Sequence, residues 1–302
     1  VDLEHAIGGA NDATRPSTIR FGITMLGQLA RRFSMLSPES VRMILSAYYW
    51  DCSVMDAVTI AAYISIDPKS FVRTAVPVED ISAIPPKYDI NWLAVYKLGL
   101  PGWISSPGML YKVRLLIGDE FIHGLILFNA VKQMLASSKS KDNLLALGNW
   151  CETNNLSLRG CLDLIRARDD IIEQMLTAGM EVFAQEEHAL SRSTQANFMT
   201  IITKIKYCIY DGLRCNMIVR SADSKYRTLN GLEIMAPKLF RDDEAARAAT
   251  DGFEPAVTAA PTYVLYKELS IKANRKSPAY DVIANTICVL DGFVSPDMDF
   301  VT

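Results

Sequence analysis

Cys52–Arg73 reads CSVMDAVTIAAYISIDPKSFVR, and its reading decides the fold. Val54, Ala57, Val58, Ala61 and Ala62 recur at helical spacing, so a helix is predicted from about Ser53 to Ile64. The small residues on its apolar face permit close packing by a neighbouring helix. Asp67-Pro68 ends it. Just upstream, Ser37-Pro38-Glu39 is a helix start, with Ser as cap, Pro at the first position and an acid in the first turn. Val41, Ile44, Leu45 and Tyr48 then repeat at helical spacing. Earlier still, Ile19, Phe21 and Ile23 alternate as in a strand, and Thr24 opens a helix through Leu26, Leu29 and Ala30.

Downstream, residues 75–110 carry Pro77, Pro85, Pro86, Pro101 and Pro107, with Trp92 and Trp103 between them. This stretch reads as a long insertion, partly ordered by its aromatics. Helical text resumes from Asp119 to Leu135 and continues over 142–153 and 157–177. From about residue 198 a helical segment gives way to strand-like text: CNMIVRS, KYRTL, LEIMAP, TYVLYKELSI and NTICVL. Asn230-Gly231 is a hairpin signal, and short strands at this spacing predict a small barrel. Residues 242–261 are rich in acids and alanines and read as a mobile loop. The fold class is therefore multidomain α+β. Residues 1–33 form a linker and the end of a small strand-and-helix unit. A mostly α-helical unit spans 34–197, and a small β-barrel spans 198–302.

Half of the 302 residues are hydrophobic, enough for two or three compact units. A net charge of −3 gives no bulk-charge case for nucleic-acid binding, so local patches must carry it. Six cysteines form no C-x-x-C, which fits a reduced, intracellular setting; nucleus, cytoplasm, viral factory and virion are not distinguished. His5, His123 and His188 are far apart in sequence, and no metal site is expected. No apolar run reaches membrane-spanning length, and no membrane partner is expected. The polar opening from Val1 is expected of a piece of a longer chain. No phosphate loop is present and no nucleophile–base pair can be assembled, so an independent enzyme is not expected and no catalytic residue is assigned. Asp119-Glu120-Phe121-Ile122-His123 superficially spells a helicase motor motif, but no phosphate loop precedes it.

A series of phrases in one order resembles the C-terminal accessory region of DEAH-box, RNA helicase A-like helicases over roughly residues 19–302. Ile23-Thr24-Met25-Leu26-Gly27 resembles the end of that family's winged helix, and Cys52–Ser65 its following helix, with Phe71-Val72-Arg73 as the ending. Gly118-Asp119-Glu120, Phe128–Lys132 and Asn149-Trp150-Cys151 with Arg159 resemble three further phrases. Asp211-Gly212, Tyr226–Leu229 and Tyr263–Leu269 resemble the strands of its oligonucleotide-binding (OB) barrel. Departures include Ser34 and Thr74 where proline is usual, Glu120 for His, and a poor match to the hook loop around Ala279–Thr286. Such departures are expected of a divergent, viral member. The resemblance implies a helical "ratchet" domain followed by an OB-like barrel. It also implies an NTP-dependent parent helicase whose RecA-like motor domains hold ATP or another NTP with Mg2+; no cofactor is expected in this part.

The implied ligand is single-stranded RNA, or DNA. Between 198 and 240 seven basic residues face three acids, and the barrel text is locally basic. Lys204, Lys206, Arg214, Lys225, Arg227, Lys272, Arg275 and Lys276 are the expected phosphate contacts, with Tyr226 (and Tyr207 and Tyr210) as base stackers. Arg159 and Arg168, on the helix bordering the family's RNA channel, complete the set. A solvated strand face with core tyrosines, and charge pairs such as Asp163 with Arg166, explain the same residues without a ligand. A second reading is a protein-interaction module that docks an activator or other partner through Trp92 and Trp103.

Overall fold

The computed structural model describes residues 25–73, 90–104, 121–137, 143–180, 188–235, 262–273 and 280–289. The predicted strand at 19–23, the acidic loop 242–261, Arg275 and Lys276 lie outside them. Eight helices are described: α1 Met25–Ala30, α2 Pro38–Tyr49, α3 Val54–Ser65, α4 Trp92–Gly99, α5 Phe121–Ser137, α6 Asn143–Thr153, α7 Leu158–Thr177 and α8 Phe198–Leu213. The described strands are β1 Met217–Arg220, β2 Tyr226–Thr228, β3 Glu233–Ile234, β4 Tyr263–Ala273 and β5 Tyr280–Val289.

Local chemistry sets the helix starts. Ser37 Oγ accepts the Ser40 N–H at 3.2 Å, Ser53 Oγ that of Asp56 at 3.4 Å, and Ser157 Oγ that of Gly160 at 3.2 Å. Each such cap is worth about 1 kcal/mol. α3 is the central helix, and every residue from Met55 to Ile64 is buried. It is apolar on nearly all sides, and α2, α5 and α7 surround it. α5 is likewise buried from Phe121 to Val131, and Gly124 lets it close on Tyr63, whose ring a Cβ would strike. α8 lies along α2 so closely that a Cβ on Gly212 would sit 2.7 Å from the Glu39 carbonyl oxygen. Although sequence reads α8 as the opening of the barrel unit, its Phe198, Ile202, Ile205 and Ile209 lie in the helical core.

Within 75–110, residues 90–104 are ordered by their aromatics, and Trp92 and Trp103 pack partly buried against the main core. Asn91 caps α4, and Val95, Tyr96, Leu100 and Ile104 are buried in the main core. Trp92 stacks on His123 at 4.5 Å, and Trp103 donates its indole N–H to the Ser193 carbonyl at 2.8 Å while meeting Phe198 edge-on. Both rings are half-buried, so only part of each is open to a partner.

The strands form one curled antiparallel sheet in the order β3-β2-β1-β4-β5. The Met235 N–H, just past β3, donates to the Val282 carbonyl of β5 at 2.8 Å and brings the two edges together. Ile218, Tyr226, Ile234 and Val264 fill the sheet's concave side. On the other side Met217 and Leu265 join the helical core. Lys267 of β4 also donates its ammonium to the Ile64 carbonyl at the end of α3, a charged cap that ties sheet to helices. The arrangement is a helical layer followed by a small half-barrel.

Candidate nucleic-acid interface

The basic residues collect where β1 turns into β2. The ladder places Arg220 opposite Tyr226 and Val219 opposite Arg227. Strand alternation then puts Tyr226 inward and Lys225 and Arg227 on the other side, with Glu233 opposite Arg227. The turn is closed by Ser224, at φ 64°, and by the Lys225 N–H donating to Asp223 Oδ1 at 3.2 Å.

Arg227, Lys225, Lys204 and Arg159 each meet an acid of the same chain. Arg227 forks onto Asp223 through Nη2–Oδ2 at 2.6 Å and Nη1–Oδ1 at 3.1 Å. Lys225 Nζ lies 2.8 Å from Glu233 Oε2. The guanidinium of Arg227 draws the Asp223 carboxyl down to about 2, and the carboxylate in turn raises Arg227. Lys204, on α8, donates to the Asp51 carboxylate at 2.7 Å and to the Asp51 carbonyl at 2.9 Å, and this bond lowers the Asp51 pKa. Arg159 is almost fully exposed and sits 3.7 Å from Asp163. Arg214 is exposed at the end of α8. Lys272 stands opposite Asp281 in the β4–β5 ladder.

Three expected contacts lie in the interior instead. Lys206 is 1% exposed, Tyr226 4% and Arg168 7%, so none offers a surface to phosphate or base. Tyr207 stacks on Trp50 at 4.6 Å, and the Trp50 indole donates to Asp211 at 2.6 Å. Tyr210 packs, partly buried, on the helical core. Strand alternation accounts for Tyr226, since the odd-numbered Lys225 and Arg227 face out and leave the even position facing in.

Arg168 belongs to a buried polar cluster that sequence reasoning missed. Its Nε donates to Thr59 Oγ1 at 3.3 Å, its Nη2 to the Met55 sulfur at 3.2 Å and its Nη1 to Asp169 at 3.3 Å, with the Phe128 ring below. Thr59 spends its own proton on the Met55 carbonyl at 2.8 Å. Its oxygen can therefore only accept from His188 Nε2, 2.8 Å away, which fixes the His188 tautomer. Burial, with the charges of Arg168 and Lys132, holds His188 down to about 3. Burial likewise lowers Arg168, although Asp169 and Asp56 oppose the shift. The cluster pins the 188–198 segment to α3, α5 and α7. The available signal was an Arg and a Thr on otherwise apolar helix faces, but nothing local pairs residues 109 positions apart.

Among the described residues no group of three or more His, Cys, Asp or Glu could hold a metal ion. Among them, too, no helix is long and apolar enough to cross a membrane.

No family model matches the sequence. The chain is similar to African swine fever virus proteins named "Putative RNA Helicase B962L". It is 26% identical to that of a Kenyan pig isolate and 25% identical to that of a South African tick isolate, each over 283 residues. A Malawian tick isolate gives 26% over the same length. Each match covers 92% of this chain and 27% of the relative, so the chain spans about a quarter of the length of the curated relatives it matches. The chain is thus a distant relative of viral proteins named as RNA helicases.

Proposed function

We propose that this chain is the C-terminal accessory part of an NTP-dependent, DEAH-box-like RNA helicase, gripping single-stranded nucleic acid beside motor domains that lie elsewhere in the parent. The observation that carries this reading is the relationship along 92% of the chain to proteins named as RNA helicases, in a chain without a phosphate loop. Two features support it. The circular strand order β1-β2-β3-β5-β4, joined through Met235 and Val282, suits an OB-type barrel, a fold that takes up oligonucleotides across its strands and loops. The exposed cations Arg159, Arg214 and Lys225, with the half-buried Lys204 and Arg227, suit phosphates, which are bound through charge irrespective of sequence.

The nucleotide and Mg2+ are assigned to RecA-like domains of the parent, because the sequence of this chain contains no phosphate loop. No hydrolytic step is assigned to this chain, and Mg2+-dependent NTP hydrolysis by it would contradict the assignment. The test of the binding surface is charge reversal. Lys225→Glu with Arg227→Glu is expected to weaken binding of a labelled single-stranded RNA by roughly tenfold or more. Unchanged binding by that variant would remove the β1–β2 hairpin from the interface.

A further inference from the structure

The donors around Asp223 form a cradle with one occupant. Its carboxylate accepts both arms of the Arg227 fork and the Lys225 N–H, three charge-assisted or backbone bonds at 2.6, 3.1 and 3.2 Å. Arg227 Nη1 also donates to Ser221 Oγ, and Arg220 Nη2 reaches Ser224 Oγ at 3.2 Å, so the guanidinium groups are held in place on both sides of the turn. Two parallel N–H donors are the geometry that Arg offers equally to a carboxylate and to a phosphate. The site is accessible: the side chains of Arg227 and Asp223 are 34% and 47% exposed. An exposed pair of this kind contributes little to folding stability, so holding the hairpin together does not account for it.

We propose that Asp223 occupies, with its own carboxylate, a phosphodiester-binding cradle on the β1–β2 hairpin, and so competes with nucleic acid for Arg227. Glu233 does the same for Lys225 across the β2–β3 turn. The inference rests on the nucleic-acid reading above. Its consequence is that the chain limits its own grip. A strand displaces a carboxylate at each phosphate it takes, as a protein that releases and regrips along a strand requires. The low pKa of Asp223 keeps the competitor charged at every working pH.

The test compares the unaltered chain with Asp223→Asn and, as a control for net charge, Asp170→Asn on the exposed side of α7. Asparagine keeps an oxygen to accept the Lys225 N–H, so the turn persists. Binding of a fluorescein-labelled oligouridine of about 12 nucleotides is followed by anisotropy from about 50 to 200 mM salt. Asp223→Asn is expected to bind roughly twofold to fivefold tighter at low salt. Its slope of log affinity against log salt should steepen by about 0.7, the increment of one more phosphate on a single strand. Adding Arg227→Ala to Asp223→Asn should abolish both changes. Asp223→Asn indistinguishable from the unaltered chain, or from Asp170→Asn, overturns the inference while leaving the binding reading intact. Absence of binding by both the unaltered chain and Asp223→Asn at low salt overturns the nucleic-acid reading and this inference with it.

Discussion

Thr59→Val tests the buried cluster behind the proposed interface. Valine has nearly the volume of threonine but no oxygen, and Thr59 Oγ1 is the acceptor shared by His188 Nε2 at 2.8 Å and Arg168 Nε at 3.3 Å. Thr59 is 0% exposed and His188 1%, so water cannot replace the lost partner without opening the packing. A buried donor left without an acceptor costs about 1–3 kcal/mol, and more when charged. Arg168 keeps Asp169, which softens its share. The expected loss is therefore about 2–4 kcal/mol, a fall in Tm of roughly 3–6 °C for a chain of this size. Thr59→Ser keeps the oxygen and removes only a methyl, at about 1 kcal/mol. Thermal unfolding of both variants, with the 188–198 segment followed by hydrogen exchange, separates the two effects. The reasoning fails if valine costs no more than serine, or if the segment exchanges at the unaltered rate.

Three further outcomes follow from the same geometry. His188 is held down to about 3 in the fold against an ordinary value of 6.5, so only the unfolded chain takes up its proton between those values. Its contribution to stability is complete above pH 6.5 and is lost as pH falls towards 3, at up to about 1.4 kcal/mol per pH unit. Urea unfolding at several pH values should show this slope, and His188→Phe should flatten it; an equal slope in both would contradict the assignment. Lys267→Met removes the ammonium cap on the Ile64 carbonyl and should cost about 1–2 kcal/mol, with faster amide exchange at the end of α3; unaltered exchange there would refute the link between sheet and helices. NMR titration should place the Asp223 carboxyl near 2 and, in Arg227→Ala, back near the ordinary carboxylate value, because the guanidinium is the main cause of the shift.

Much of the fold was legible because it is encoded locally. Ser37-Pro38-Glu39 and Ser53 announce α2 and α3 through caps that the structure shows bonded. Asn230-Gly231 announces the β2–β3 turn, where Gly231 adopts φ 81°. Around α4 the local signals conflict. Five prolines across 75–110 outweigh the short Trp92–Gly99 helix and its Asn91 cap, and only burial against α5 reveals that segment's role. For the site, sequence located the basic hairpin but not which way its residues face. Tyr226 and Lys206 look like ligands until strand and helix geometry turns them inward. Nor could sequence find the acid that holds Lys204, because Asp51 lies 153 residues away and no local pattern encodes such a pair.

The most direct test of the central claim is anisotropy of a labelled single-stranded RNA titrated with this chain across a salt series. The account predicts binding that weakens steeply and linearly in log salt, without preference for base sequence, as expected when phosphates carry the contact. Binding that is absent at about 50 mM salt, or that is insensitive to salt, would contradict it.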